Sequence, residues 1–105
     1  MKKRHEGDIV IYIERIDELL WADIDRLIFE NKLPTPDERE YNRLLDFIYR
    51  KLKKNWFKNK KPSPKDFERR LKYYYVRKRN ELFIVLSYLI TTYYQRKGLF
   101  QGRFN

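Results

Sequence analysis

Basic side chains concentrated in the middle of this 105-residue sequence carry its clearest chemistry. Residues 50–79 contain fourteen Lys or Arg and two Asp or Glu, so their net charge of +12 exceeds the +10 of the whole chain. Such side chains replace the counterions of phosphate groups and thereby bind nucleic acid. The candidate nucleic-acid-binding residues are Arg50, Lys53, Lys54, Lys58, Lys60, Lys61, Lys65, Arg69, Arg70, Lys72 and Arg77.

Aromatic residues interrupt the basic cluster and widen the range of ligands that it could bind. The rings of Trp56, Phe57 and Tyr73 are candidate platforms for the unpaired bases of a single strand, although aromatic residues at helical spacing more often belong to a core. The cluster also suits an acidic protein partner or a plain solvated surface. Repulsion among clustered cations opposes folding, which favours an anionic partner over a solvated surface.

Residues that could catalyse a reaction are scarce. The chain has no Cys and a single His, His5, so thiolate chemistry, disulfides and multi-histidine sites within one chain are excluded. Acidic residues near the N-terminus alternate with Ile16, Leu20 and Ile24, as solvent-facing positions of a helix do, which argues against a Mg²⁺ site; they are Glu14, Asp17, Glu18, Asp23 and Asp25. Glycine-rich phosphate loops and nucleophile motifs are missing. We therefore expect a protein that is not an enzyme, with no cofactor, no metal and no small-molecule substrate.

Apolar residues recur at steps of three and four, which predicts an all-α fold, a three-helix bundle in a single domain. The helices are expected over about residues 8–30, 36–59 and 64–97, with a short tail over 98–105. A kink is expected near Arg79 and Asn80 in the long third helix. Residues 9–13 also suit a short strand because they are rich in β-branched side chains, and this alternative stays open.

Two proline-containing connectors mark the helix starts. Thr35 is the expected N-cap of the second helix, followed by Pro36 and by Glu38 in a capping box. Ser63, Pro64 and Asp66 play the same parts in the third helix. Gly98 is the expected stop of the third helix, because a glycine readily adopts the left-handed conformation that ends helices.

The C-terminal third is more apolar than a small bundle needs. Residues 82–90 are apolar on several sides of the predicted helix, which indicates a partner subunit, either a second copy or another protein. The candidate interface residues are Phe83, Leu99, Phe100 and Phe104. The longest apolar stretch falls short of the roughly 20 residues that cross a bilayer, and no signal-peptide pattern is found. We therefore expect no membrane association and a cytoplasmic location.

Two stretches resemble a known family. Leu33-Pro34 is followed by Tyr41, Phe47-Ile48 and Leu52, and residues 68–82 form the aromatic and basic run ERRLKYYYVRKRNEL. Both stretches, and the order of elements over about residues 33–90, are similar to the α-helical domain of GINS-complex subunits of the Sld5 and Psf1 type. The resemblance implies a non-enzymatic replisome scaffold that joins the replicative helicase to its partners, with contacts on the third helix.

These observations predict a non-catalytic protein that acts in a nucleic-acid transaction. The first expectation is a DNA-replication-type scaffold or a nucleic-acid-binding subunit of a larger complex. Two alternatives stay open: an adaptor whose basic end binds an acidic protein partner, and a structural RNA-associated protein of the ribosomal type.

Overall fold

A computed structural model describes residues 16–58 and 60–98, and these residues form four α-helices and no strand. The helices are α1 Ile16–Glu30, α2 Glu38–Phe57, α3 Pro64–Arg77 and α4 Arg79–Lys97. The all-α prediction is confirmed, whereas the expected number of helices is wrong, because the predicted third helix is divided into α3 and α4. Four expectations lie outside the described residues: the helix over 8–15, the strand alternative over 9–13, the tail over 99–105 and the interface residues Leu99, Phe100 and Phe104.

The division between α3 and α4 falls at Lys78, close to the expected kink. The backbone of Lys78 departs from helical geometry (φ −135°, ψ 48°), although its N–H still donates to the Tyr74 carbonyl oxygen over 2.8 Å. Neither Pro nor Gly stands at the break, so its cause lies in tertiary contacts rather than in local propensity. Immediately after the break, the Arg79 guanidinium lies over the rings of Tyr75 and Phe83, at 5.1 and 5.2 Å.

The helix ends agree with the sequence at two places and differ at a third. Ser63 caps α3 in a reciprocal capping box with Asp66, and Gly98 ends α4 at φ 64°, as predicted. Asp37, rather than Thr35, is the N-cap of α2, and its side chain accepts the Glu40 N–H over 2.7 Å. Before this cap, the Tyr94 hydroxyl of α4 donates to the Pro34 carbonyl oxygen over 2.5 Å.

Helix α4 lies at the centre of the described fold and contacts each of the other three helices, while α1 also contacts α3. Its buried residues are Leu82, Leu86, Leu89, Ile90, Tyr93 and Tyr94. They meet the apolar stripes of the neighbouring helices, which include Leu20 and Ile24 of α1 and Leu44, Ile48 and Leu52 of α2. This central position explains why α4 is apolar on several sides, whereas a surface helix has a single stripe.

Among the described residues, one charged side chain lies inside this core. Asp23 of α1 is only 5% exposed, so its expected place on the solvent-facing side of the first helix is wrong. The Tyr75 hydroxyl donates to Asp23 Oδ2 over 2.6 Å, and Arg79 Nη2 lies 3.6 Å from Oδ1. A buried carboxylate is stable only with such partners, and these partners join α1, α3 and α4 at the point where α3 ends.

Tyrosine hydroxyls tie the helices together at the edge of the core. Tyr49 donates to Asp17 Oδ1 and Tyr41 donates to the Trp21 carbonyl oxygen, each over 3.4 Å, and Tyr93 donates to the Glu40 carboxylate. Burial, reinforced by nearby carboxylates, raises the pKa of Tyr41 and of Tyr49 to about 12. These phenols therefore stay protonated and act as donors at neutral pH.

The C-terminal end of α1 makes one testable prediction. Lys32 has φ 56°, and the N–H groups of Lys32 and Leu33 donate to the Phe29 and Ile28 carbonyl oxygens, each over 3.0 Å. This is a Schellman motif with a lysine at the left-handed position, where a Cβ atom is unfavourable. Lys32→Gly should be more stable than Lys32→Ala by about 1 kcal/mol in urea unfolding, because both variants lose the charge and only glycine relieves the strain. Equal stability of the two variants would contradict this reading.

The buried carboxylate makes a second prediction. Tyr75→Phe removes the hydroxyl donor from Asp23 and should lower the free energy of unfolding by about 1.5–3 kcal/mol, the usual range for a hydrogen bond to a charged group. Tyr88→Phe is the matched control, since Tyr88 is 67% exposed. Thermal unfolding followed by circular dichroism should show a lower midpoint for Tyr75→Phe alone, and equal midpoints would contradict the role given to the hydroxyl.

Candidate nucleic-acid interface

Six lysines occupy the C-terminal half of α2, the connector between α2 and α3, and the first turn of α3. All six are exposed. We call this surface the connector patch, and it consists of Lys53, Lys54, Lys58, Lys60, Lys61 and Lys65.

The connector patch keeps its positive charge because none of its lysines forms an ion pair with an acidic side chain of the described residues. No Asp or Glu occurs between Asp46 and Asp66 in the sequence. Five of the six lysines, all except Lys65, therefore have no acidic residue within four positions with which to form the local helical pairs that neutralise cations elsewhere. Among residues 16–58 and 60–98, no carboxylate oxygen lies within 4.0 Å of the Lys54, Lys58 or Lys60 amino group. Lys61 and Lys65 likewise have no ion pair with the described residues.

Other candidate residues have acidic neighbours. Arg50 Nε lies 3.1 Å from Asp46 Oδ2, and Lys72 Nζ lies 3.6 Å from Glu68 Oε2. Arg69 is similarly paired with Asp66, at 3.4 Å. Within one helix such pairs lower the local potential that a phosphate would meet. The predicted cluster therefore separates into the uncompensated connector patch and a set of locally compensated cations on α2 and α3.

The two remaining cations differ from each other. Arg70 is partly buried, where its guanidinium lies 5.0 Å from the centre of the Phe57 ring and its Nη1 donates to the Trp56 carbonyl oxygen over 3.5 Å. Arg70 therefore fastens the end of α2 to α3 and has less freedom to bind a phosphate. Arg77 is exposed in the last turn of α3.

The aromatic candidates are not equally accessible. Trp56 stacks on Tyr74 with ring centres 4.5 Å apart and planes at 15°, and it also packs on Phe67 at 5.8 Å. Phe57 is partly buried beneath Arg70. Tyr73 is 47% exposed and meets Tyr74 edge-on. Trp56 and Phe57 thus belong to the α2–α3 interface, and Tyr73 has the more accessible ring.

A second basic surface joins residues that are far apart in the sequence. Helices α2 and α4 run antiparallel, since Tyr93 near the end of α4 contacts Glu40 at the start of α2. The end of α4 therefore meets the start of α2 in what we call the arginine groove, which is lined by Arg39, Arg43, Arg50, Arg96, Lys97 and the rings of Phe47 and Tyr93. Glu38 and Asp46 also line it and offset part of the charge. The search of the sequence for local clusters of basic residues missed four residues of this groove, and only the packing of α2 against α4 brings them together. They are Arg39, Arg43, Arg96 and Lys97.

Farther along the same pair of helices lies a groove of different character. Lys51, Lys54 and Lys58 of α2 line one wall, and the other wall consists of Ile84, Val85, Tyr88 and Leu89 of α4. We call this the lysine groove. Ile84 is 69% exposed. The expected interface residue Phe83 lies elsewhere on α4, partly buried beside the guanidinium groups of Arg26 and Arg79.

The described residues give no support to metal chemistry. They contain no group of three or more acidic, His or Cys side chains that could hold a metal ion. Asp17 accepts a hydrogen bond from Tyr49 and Asp23 is buried, so two of the acidic residues of α1 serve the packing of the helices.

Comparison with protein-family models, curated proteins and solved structures gives no significant match. The resemblance to GINS-complex subunits therefore stays a prediction. In the part of the chain that the structure describes, no helix is both long enough and apolar enough to cross a membrane.

The packing of Trp56 makes a prediction that separates a structural ring from a binding ring. Trp56→Ala removes the stack on Tyr74 and should lower the free energy of unfolding by about 2 kcal/mol. Tyr73→Ala, at the more exposed neighbouring ring, should cost less than about 1 kcal/mol. Urea unfolding monitored by circular dichroism compares the two, and a Trp56→Ala variant as stable as the parent chain would return Trp56 to the list of accessible rings.

Proposed function

We propose that this protein is a non-catalytic nucleic-acid-binding protein that holds the phosphate backbone with the connector patch and acts as a subunit of a larger assembly. The observation that carries the proposal is the set of exposed lysines between Asp46 and Asp66, of which only Lys65 has an acidic residue within four positions. Elsewhere on α2 and α3 the sequence supplies acidic partners at helical spacing. A basic surface that served only solubility would gain nothing from a lack of acidic neighbours, because repulsion among its lysines opposes folding.

The side chains of the patch favour phosphate over bases. Lysine ammonium groups act as point charges on flexible stems and gain affinity by releasing counterions from the backbone. Base edges are best read by bidentate arginine, but Arg50 and Arg69 lie beside carboxylates and Arg70 is held in the α2–α3 interface. We therefore expect binding with little dependence on base sequence.

The wider setting of the proposal rests on the resemblance to GINS-complex subunits. That resemblance favours a scaffold in a DNA-replication-type assembly, in which the connector patch touches nucleic acid while other surfaces hold protein partners. An adaptor whose patch holds an acidic protein is the alternative. Direct binding to nucleic acid separates the two.

The experiment is a titration of labelled duplex and single strands at several salt concentrations. Six lysines that contact about five or six phosphates give a slope of log affinity against log salt of about −5. Lys60→Glu/Lys61→Glu should reduce the magnitude of this slope by about 2. Binding releases about one counterion from the nucleic acid for each phosphate contact, and this variant loses two such contacts.

Arg26→Glu/Lys32→Glu is the matched control, since it changes the net charge by the same amount at exposed positions outside both the connector patch and the arginine groove. It should leave most of the slope intact. Equal weakening by both pairs would assign binding to net charge rather than to the patch. A parent chain that binds neither duplex nor single strands at low salt would end the nucleic-acid proposal in favour of the acidic-protein adaptor.

A further inference from the structure

The lysine groove has one wall of exposed apolar side chains and one wall of lysines. Its α4 wall exposes Ile84 and Tyr88, which are four residues apart and so lie on one face, and both are about two-thirds exposed, at 69% and 67%. Its α2 wall is cationic, with Lys51, Lys54 and Lys58. A segment that fills this groove must therefore offer apolar side chains along one edge and acidic side chains along the other.

The outward face of α1 has this composition. Glu18, Trp21, Ala22, Asp25 and Phe29 are all exposed and recur at helical spacing. Phe29 is 81% exposed and Trp21 is 42% exposed, although both are large and apolar. The face spans about 16 Å at 1.5 Å per residue, long enough to lie along the two turns of α2 between Lys51 and Lys58.

Charge decides how the two surfaces can be combined. Two lysine grooves placed together would bring six ammonium groups into contact, and two α1 faces would bring acidic groups together. The contact of α1 with the groove is the arrangement that places acids beside lysines and apolar side chains beside apolar ones. We propose that the outward face of α1 in one copy docks into the lysine groove of a second copy of this chain.

The net charge of +10 does not prevent this contact. Repulsion between whole copies is screened over about 8 Å at physiological ionic strength, whereas groups in direct contact are screened much less. The residues that meet are those whose local charges are opposite. Assembly also covers four large apolar side chains, Trp21, Phe29, Ile84 and Tyr88, that are exposed in a single copy.

The test is sedimentation equilibrium of the full chain without nucleic acid, compared with variants of each surface. The parent chain should show an average mass above that of one copy, rising with protein concentration. Lys51→Glu/Lys54→Glu should sediment as a single copy because its groove repels the acidic face of α1. Glu18→Lys/Asp25→Lys should do the same because its α1 face repels the groove.

Mixing the two charge-reversed variants provides the decisive arm. Each variant is expected to be monomeric alone, and the mixture should assemble, because the reversed α1 face of one meets the reversed groove of the other. Ile84→Ser tests the apolar wall without a change of charge and, at an exposed position, should lower the mass while leaving the circular dichroism spectrum unchanged. Lys60→Glu/Lys61→Glu is the control outside the groove and should assemble like the parent chain, which separates this proposal from nucleic-acid binding.

Several results would overturn the proposal. These are a monomeric parent chain at all concentrations, a charge-reversed variant that assembles as the parent does, or a mixture that fails to regain mass. A monomeric parent chain that binds vesicles of phosphatidylserine through Ile84 and Tyr88 would assign the groove to a lipid surface. A monomeric parent chain that binds an acidic amphipathic peptide of unrelated sequence would assign it to another protein.

Discussion

The carboxylate of Asp23 is the constraint on which the arrangement of the described helices depends. It lies inside the core, where an ionised group without partners would be strongly unfavourable. Its two partners come from different helices, the Tyr75 hydroxyl from α3 and the Arg79 guanidinium from the first residue of α4. These two partners are four residues apart and stand on either side of Lys78, where the chain departs from helical geometry. One buried carboxylate thus links α1 both to the end of α3 and to the start of α4.

The central position of α4 has a consequence for the surface. Because α4 contacts α1, α2 and α3, apolar residues are required on most of its sides, and the helix has no polar face of its own. The three neighbours do not enclose it completely, and Ile84 and Tyr88 remain exposed beside the lysines of α2. The lysine groove is therefore the side of α4 that the other three described helices leave uncovered, and it is the side that the proposed second copy would occupy.

Charge compensation, rather than charge density, distinguishes the surfaces of this protein. Arg50, Arg69 and Lys72 have acidic neighbours three or four residues away, while five of the six lysines of the connector patch, all except Lys65, have none. The two proposals use different parts of this pattern. Lys60 and Lys61 serve only the proposed nucleic-acid contact and Ile84 only the proposed self-association. Lys54 and Lys58 belong to both surfaces, so nucleic acid and a second copy would compete for them.

The sequence by itself determined whatever depends on neighbours a few residues away. Helical periodicity predicted the all-α fold, Ser63 with Asp66 predicted the start of α3, and Gly98 predicted the end of α4, because caps and stripes are local interactions. The connector patch was also visible in the sequence as part of the basic cluster.

Tertiary structure alone decided what depends on distant partners. It placed Asp23 in the core and divided the predicted third helix at Lys78. It also brought Arg96 to Arg39 across the α2–α4 pair. These features arise from contacts between residues more than 40 positions apart, whose energies exceed the small local preferences that a sequence pattern reports.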